Sequence, residues 1–229
     1  MLYPVNLRIA GRLCLVVGGG NVALRKIHSL IGCHARVTVI SPRVVDEIRM
    51  LAESGDISLH LREYHPGDLA GGFLVFSATD DPVVQEKIGR EAAERNILLN
   101  SADNPRRCDF QVPAKVRRGE LLLTVSTGGA SPALSKLIRE QLEGQFNDEY
   151  GKVISLFARI REVVVPAAGN SAANRALFQE LLHSQVVDLT RKGEWRRVKE
   201  ILASLLPEGV DVDGLVEGLA ASQGDRMSE

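Results

Sequence analysis

The chain has 229 residues, 45% hydrophobic and 25% charged, the composition of a water-soluble globular protein with one large domain or two unequal ones. Twenty-eight Lys+Arg against 29 Asp+Glu leave a formal net charge of -1, so no global field draws it to nucleic acid or an anionic membrane. The longest apolar run near the start, Leu13 to Val17, is far short of the ~20 residues of a bilayer span, and the N-terminus shows no signal-peptide pattern. These features predict a cytoplasmic protein with no membrane and no nucleic-acid partner.

In chain order, Arg12 to Val17 reads as a strand that stops at three glycines, and Val22 to Leu30 follows as a helix with Val22, Lys26 and Ser29 on one side. Ala35 to Ile40 is a second strand, Val44 to Ala52 a helix, and Ser58 to Tyr64 an alternating third strand. Phe73 to Ala78 is a fourth strand. Asp80-Asp81-Pro82 then supplies an acidic N-cap and a first-turn proline for a helix reaching about Arg95, and Leu98 to Ala102 is a fifth strand. Strands and helices alternating at this spacing predict a mostly parallel α/β sheet covered on both faces, a Rossmann-type domain over residues 1–112.

The pattern changes after Asn104-Pro105. Phe110 to Val116 and Leu121 to Val125 are separated only by Arg117-Arg118-Gly119-Glu120, which suits a hairpin. Ser131-Pro132 opens a helix with Leu134, Leu137, Ile138 and Leu142 on one stripe. Residues 113–146 therefore read as a small α+β unit, too small to bury a core alone, and 147–229 as a helical C-terminal domain whose end, from Ala221, is small and polar.

Gly18-Gly19-Gly20-Asn21-Val22-Ala23 lies between a strand and a helix and spells G-x-G-x-x-A. Gly18 permits the tight turn, Gly20 lets the backbone approach a pyrophosphate, and the helix N-terminus offers free N–H groups and a positive partial charge. The second strand ends in Ile40-Ser41-Pro42-Arg43 where an NAD site usually has Asp or Glu. Ser41 can still meet a ribose hydroxyl and Arg43 a 2′-phosphate, so NAD and NADP both stay open. Asp103, in Asn100-Ser101-Ala102-Asp103-Asn104-Pro105, ends the fifth strand, where open α/β sheets place their chemistry; the alternative is an Asx turn before proline. The loop Ser126-Thr127-Gly128-Gly129-Ala130 leads into the later helix and either holds an anion or simply turns the chain. Cys14, Cys33 and Cys108 are odd in number and lack C-x-x-C spacing, which argues against a disulfide framework and a zinc site.

Four motifs in this order resemble one family. V-V-G-G-G-N-V-A-L-R-K, the A-T-D-D at Ala78 to Asp81, N-x-x-D-x-P at Asn100 to Pro105 and V-S-T-G-G-A-S-P-A-L-S-K-L-I-R-E-Q-L-E at Val125 to Glu143 are similar to the precorrin-2 dehydrogenase and sirohydrochlorin ferrochelatase module of siroheme synthases. The resemblance runs from about Leu2 to Glu143, and the chain looks like the free-standing form without the methyltransferase domain. It implies NAD+-dependent oxidation of the tetrapyrrole precorrin-2 to sirohydrochlorin and, in bifunctional members, insertion of Fe2+ as a second substrate. It implies homodimerisation through the middle unit. It places Asn21, Val22, Pro42, Arg43 and Thr79 at the cofactor and Asp103 as the catalytic aspartate. Thr127 falls where the family often has serine, so that hydroxyl's role passes to Thr127 or Ser126.

Hydride removal leaves a macrocycle that must also lose a proton, and iron insertion displaces two pyrrole protons, so both steps want a positioned carboxylate base. Asp103 is the candidate for both. No histidine falls in the matched motifs, and no protein metal ligand is assigned. Carboxylate side arms on the substrate call for cations, and Arg106, Arg107, Lys115, Arg117 and Arg118 lie near Asp103 in sequence, with Arg106, Arg107, Ser126, Thr127 and Gly128 taken as the substrate-binding set. A second basic cluster, Arg191, Lys192, Arg196, Arg197 and Lys199, surrounds Trp195 and either covers the same cavity or solubilises a helix. The rival readings are a non-catalytic NAD(H)-sensing module and an NADP-dependent reductase of another small molecule.

Overall fold

In the first half of the chain, successive residues of the central strands face opposite layers of helix. The computed structural model describes residues 2–102, 107–168 and 171–220. It divides into two units, Met1–Val112 and Pro113–Glu229. In the first, β1 (Leu13–Val17), β2 (Arg36–Ile40), β3 (Ile57–His60), β4 (Leu74–Ser77) and β5 (Leu98–Ser101) form one parallel sheet in the order β3-β2-β1-β4-β5. Cys14, Val16, Val37, Val39, Leu74 and Phe76 pack on α1 (Asn21–Ile31) and α2 (Asp46–Glu53). Leu15, Val17, Ile40, Val75 and Leu99 pack on α3 (Pro82–Arg95). This is the doubly wound Rossmann-type arrangement, and its order reverses at β1, so the loops after β1 and β4 flank the switch point where such sheets bind ligands.

Several strand and helix limits differ from the sequence reading, three of them for reasons visible in the loops. The third strand ends at His60, not Tyr64: the Arg62 N–H turns back to the His60 carbonyl at 2.9 Å and its guanidinium grips Asp68 at 2.7 Å. The alternation runs on because Tyr64 is buried by a loop, where its hydroxyl donates to Glu91 on α3. The second helix starts at Asp46 rather than Val44, since Val45 is extended and donates its N–H to the Gly19 carbonyl at 2.9 Å. Phe110 opens no strand; its ring meets Phe76 edge-on at 5.5 Å and its carbonyl accepts from Asn100 Nδ2 at 2.9 Å.

In the second unit, β6 (Ala114–Arg118) and β7 (Leu121–Val125) form an antiparallel hairpin. It turns at Gly119, whose φ of +58° lies in the left-handed region. α4 (Pro132–Gln145) follows, with Ser131 as N-cap accepting from the Leu134 N–H and Pro132 at its first position. The leucine stripe does not bury within the chain: Leu134 and Leu137 are exposed, and Ser135 is the buried residue of α4. The helices α5 (Glu149–Ala168), α6 (Ser171–His183), α7 (Val186–Lys192), α8 (Trp195–Leu205) and α9 (Val212–Val216) share a separate core around Leu156, Ile160, Leu181 and Leu202. Among the described residues no strand follows β7, and no helix is long and apolar enough to cross a membrane. The polar stretch from Ala221 lies outside the described residues.

Candidate dinucleotide and substrate site

The loop between β1 and α1 is built from three glycines that meet different atoms. Gly18 has φ +126°, and a Cβ there would stand 2.2 Å from the Ala78 carbonyl oxygen at the end of β4. Its N–H donates to the Ile40 carbonyl at 3.0 Å while the Ala78 N–H donates to Val17 at 2.8 Å, so the three strand ends are stitched together. A Cβ at Gly19 would lie 2.0 Å from the Arg43 carbonyl oxygen. Gly20 is different: nothing stands within 4 Å of its added Cβ. Gly20 is also the N-cap of α1, which no side chain caps and whose first turn holds no acid. Open space above a helix end with unshielded N–H groups is a cradle suited to a pyrophosphate, and the residues present therefore fit a dinucleotide. Asn21 and Val22, the first helical residues, are exposed beside it.

At the end of β2, Ser41 is buried and its hydroxyl donates to the Arg43 carbonyl at 2.6 Å. Its proton is thus committed to the loop, leaving only lone pairs to a ribose hydroxyl. Pro42 and Arg43 are exposed. Thr79 accepts at Oγ1 from the Asp81 N–H at 3.3 Å and at its carbonyl from Gln85 Nε2 at 2.7 Å. Asp81 caps α3 by accepting from Val83 and Val84 at 2.8 and 3.2 Å. The carboxyl end of the sheet thus gathers Gly18 to Val22, Ser41 to Arg43 and Thr79. Gly19 was missing from the sequence reading; its signal was a third glycine where the fingerprint requires two.

Beyond β5 the chain returns along the sheet edge. The Leu99 N–H donates to Asp109 Oδ2 and the Asp109 N–H to the Leu99 carbonyl, both at 2.9 Å, while the Ser101 N–H donates to Cys108 Sγ at 3.1 Å. The thiol donates back to the Ser101 carbonyl at 3.3 Å. Side chains of the returning segment thus satisfy the edge in place of a sixth strand. Asp103 and Arg106 lie outside the described residues. Arg107 pairs with Glu86 at 2.5 Å. Cys14 is a buried core residue whose thiol is pushed up to about 11 by burial, against the opposing pull of Arg12, and stays protonated at neutral pH.

In the second unit, Thr127 Oγ1 accepts from the Ser131 N–H at 3.1 Å and lies 3.1 Å from both the Ser131 carbonyl and Ser135 Oγ. Its hydroxyl organises the start of α4. Ser126, which is exposed, accepts from the Gly128 N–H at 3.2 Å and keeps its proton, so Ser126 is the better donor of the pair. Arg118 is committed to the Phe146 carbonyl at 3.0 Å and to Asp148 at 3.1 Å. The basic cluster around Trp195 pairs locally: Arg191 stacks on Tyr150 and approaches Asp188, Arg196 pairs with Glu200, Arg197 with Glu194 and Lys199 with Asp213. Among the described residues no three His, Cys, Asp or Glu side chains are grouped to hold a metal ion.

Residues 5–114 match a family described as putative NAD(P)-binding, and residues 118–145 match the sirohaem biosynthesis protein central family. The chain is 35% identical over 209 residues to a siroheme synthase of Thioalkalivibrio sulfidiphilus, covering 91% of this chain and 43% of that protein. It is 33% identical to one of Nitrosococcus oceani over 97% of this chain and 48% of that protein. It thus spans about half the length of the curated relatives it matches. Among solved structures, SirC, precorrin-2 dehydrogenase, superposes with a TM-score of 0.71 at 28% identity, over 87% of this chain and 100% of that one. The resemblance carried by the four motifs therefore holds in sequence and in fold.

Proposed function

We propose that the chain is a precorrin-2 dehydrogenase module of the siroheme synthase kind, oxidising the tetrapyrrole to sirohydrochlorin with NAD+. The observation that carries this reading is the superposition on the whole of a precorrin-2 dehydrogenase, with the glycine cradle of an NAD(P)-binding domain at the sheet's switch point. The bound dinucleotide supplies the hydride acceptor. Gly18, Gly20 and the first turn of α1, with Asn21 and Val22, would hold the pyrophosphate, Ser41, Pro42 and Arg43 would stand beside the adenosine ribose, and Thr79 would be a further cofactor contact. Asp103 accepts the proton that the macrocycle loses. Arg106, Arg107, Ser126, Thr127 and Gly128 meet the substrate's polar side arms. Asp103 serves again as base when Fe2+ enters sirohydrochlorin as a substrate, and the chain acts in the cytoplasm as a homodimer.

The test supplies precorrin-2 and NAD+, then Fe2+, and follows the visible spectrum. Conversion to sirohydrochlorin is expected. Binding of NAD+ without turnover would return the chain to a nucleotide-sensing role. The exposed Arg43 guanidinium at the end of β2, with no acid there, favours one competing reading, an NADP-dependent reductase. Kinetic preference for NADP+ over NAD+ would select it.

A further inference from the structure

We propose that Lys26 is a further substrate-binding residue, whose ammonium pairs with a carboxylate side arm of the tetrapyrrole at the carboxyl end of β4 and β5. The proposal rests on the dehydrogenase reading above. Lys26 lies in the second turn of α1, and helical side chains lean toward their helix's N-terminus, which carries this ammonium toward the cofactor end of the sheet. Its Nζ sits 5.2 Å from the centroid of the Phe76 ring, one residue before the end of β4. Cys108, clasped to the Ser101 backbone at the end of β5, is close enough to act on its charge.

Lys26 is half-buried, and burial together with neighbouring Arg25 lowers its pKa. The ion pairs described in the first unit are Arg62 with Asp68, Arg95 with Glu91 and Arg107 with Glu86. None involves Lys26, so among the described residues a ring face and a thiol are what stands near this half-buried cation. A partly buried ammonium with no carboxylate beside it is incompletely compensated, and an arriving carboxylate restores the pairing. The arginines suggested by sequence differ from it in already having an acidic neighbour: Arg107, proposed above as a substrate contact, forms an exposed pair with Glu86 that a substrate carboxylate can displace, and Arg118 meets Phe146 and Asp148. The dinucleotide's phosphates belong at the glycine loop that opens α1, more than a helical turn before Lys26, which favours the substrate as the source of the anion.

Lys26→Met keeps the apolar stem over Phe76 and removes the charge. In the full chain, titrated with sirohydrochlorin as probe, its Kd is expected to rise about tenfold, with the NAD+ Kd within about twofold of wild type. Arg25→Met, which removes an exposed cation one residue earlier, is expected to leave both constants unchanged. Unchanged sirohydrochlorin affinity in Lys26→Met overturns the proposal. So does an equal loss of NAD+ affinity, which would assign the ammonium to the cofactor phosphates, or an equal effect of Arg25→Met, which would reduce it to general charge. Lys26→Gln is measured with the same outcomes if the methionine variant lacks a cooperative melting transition. Wild type that turns over precorrin-2 while Lys26→Met binds normally removes the Lys26 assignment alone; wild type that neither binds sirohydrochlorin nor turns over precorrin-2 removes the dehydrogenase reading with it.

Discussion

Gly18, Gly19 and Gly20 are adjacent in sequence yet separable by experiment. Gly18→Ala drives a Cβ into the Ala78 carbonyl at positive φ, and Gly19→Ala meets the Arg43 carbonyl. Each is expected to destabilise the fold by more than about 2 kcal/mol, read as a lowered urea midpoint. Gly20→Asp meets nothing in the protein and is expected to melt near wild type while NAD+ binding is lost, because its carboxylate occupies and repels the pyrophosphate position. Retained affinity in that folded variant would remove the loop from the site. Asp103→Ala is expected to leave NAD+ affinity unchanged and to lower kcat for precorrin-2 by about 10²-fold to 10⁴-fold, the scale of a lost general base. A parallel loss of iron insertion would tie both reactions to one carboxylate, and full retention of both would leave Asp103 a turn residue.

At the scale of elements, Glu91 joins α3 to the loop between β3 and β4. Buried on its helix, it accepts from the Tyr64 hydroxyl, from the Gly67 and Leu69 N–H groups at 2.8 and 3.2 Å, and from Arg95 at 2.8 Å. Burial alone would raise its pKa, but these donors together outweigh burial and hold it below the usual glutamate value. Asp68 is lowered as well, chiefly by its hydrogen bonds from Arg62. A carboxylate with a depressed folded pKa contributes stability that is present above its unfolded value, about 4.3 for Glu, and is lost as pH falls through the folded value. Stability measured by urea unfolding is therefore expected to fall on acidification below about pH 4.5, with a shallower fall in Glu91→Gln. Glu91→Ala strands the buried Tyr64 hydroxyl and Leu69 N–H and is expected to cost about 2–4 kcal/mol at pH 7. A loss below 1 kcal/mol would show that water replaces the carboxylate freely.

At the scale of the molecule, the α4 face is the unfinished surface. Leu134 and Leu137 are 46% and 52% exposed on a helix whose partner hairpin buries Val116 and little else. A second copy of the chain covering this face is the arrangement we propose for the dimer, since a hairpin and one helix cannot sustain a core alone. Leu134→Asp combined with Leu137→Asp is expected to halve the mass in sedimentation while the far-ultraviolet spectrum is kept. A wild-type monomer at micromolar concentration would remove the assignment.

The strands were legible from sequence because their signal is local: Cys14, Leu15, Val16 and Val17 are a continuous apolar run that buries on both faces of the sheet, glycines punctuate it, and Asp81-Pro82 and Ser131-Pro132 cap their helices within a few residues. The glycine fingerprint was legible for the same reason. What the tertiary structure decided depends on contacts distant in sequence. Tyr64 kept a strand's rhythm but was buried by Glu91, 27 residues away, and Phe110 kept it by packing on Phe76. Gly19 became necessary only where the Arg43 carbonyl came to rest. The cations divided in the same way: sequence proximity marked Arg107 and Arg118, but folding gave them acidic partners and left Lys26 half-buried with none among the described residues, because a side chain's charge is balanced by whatever the chain brings back to it.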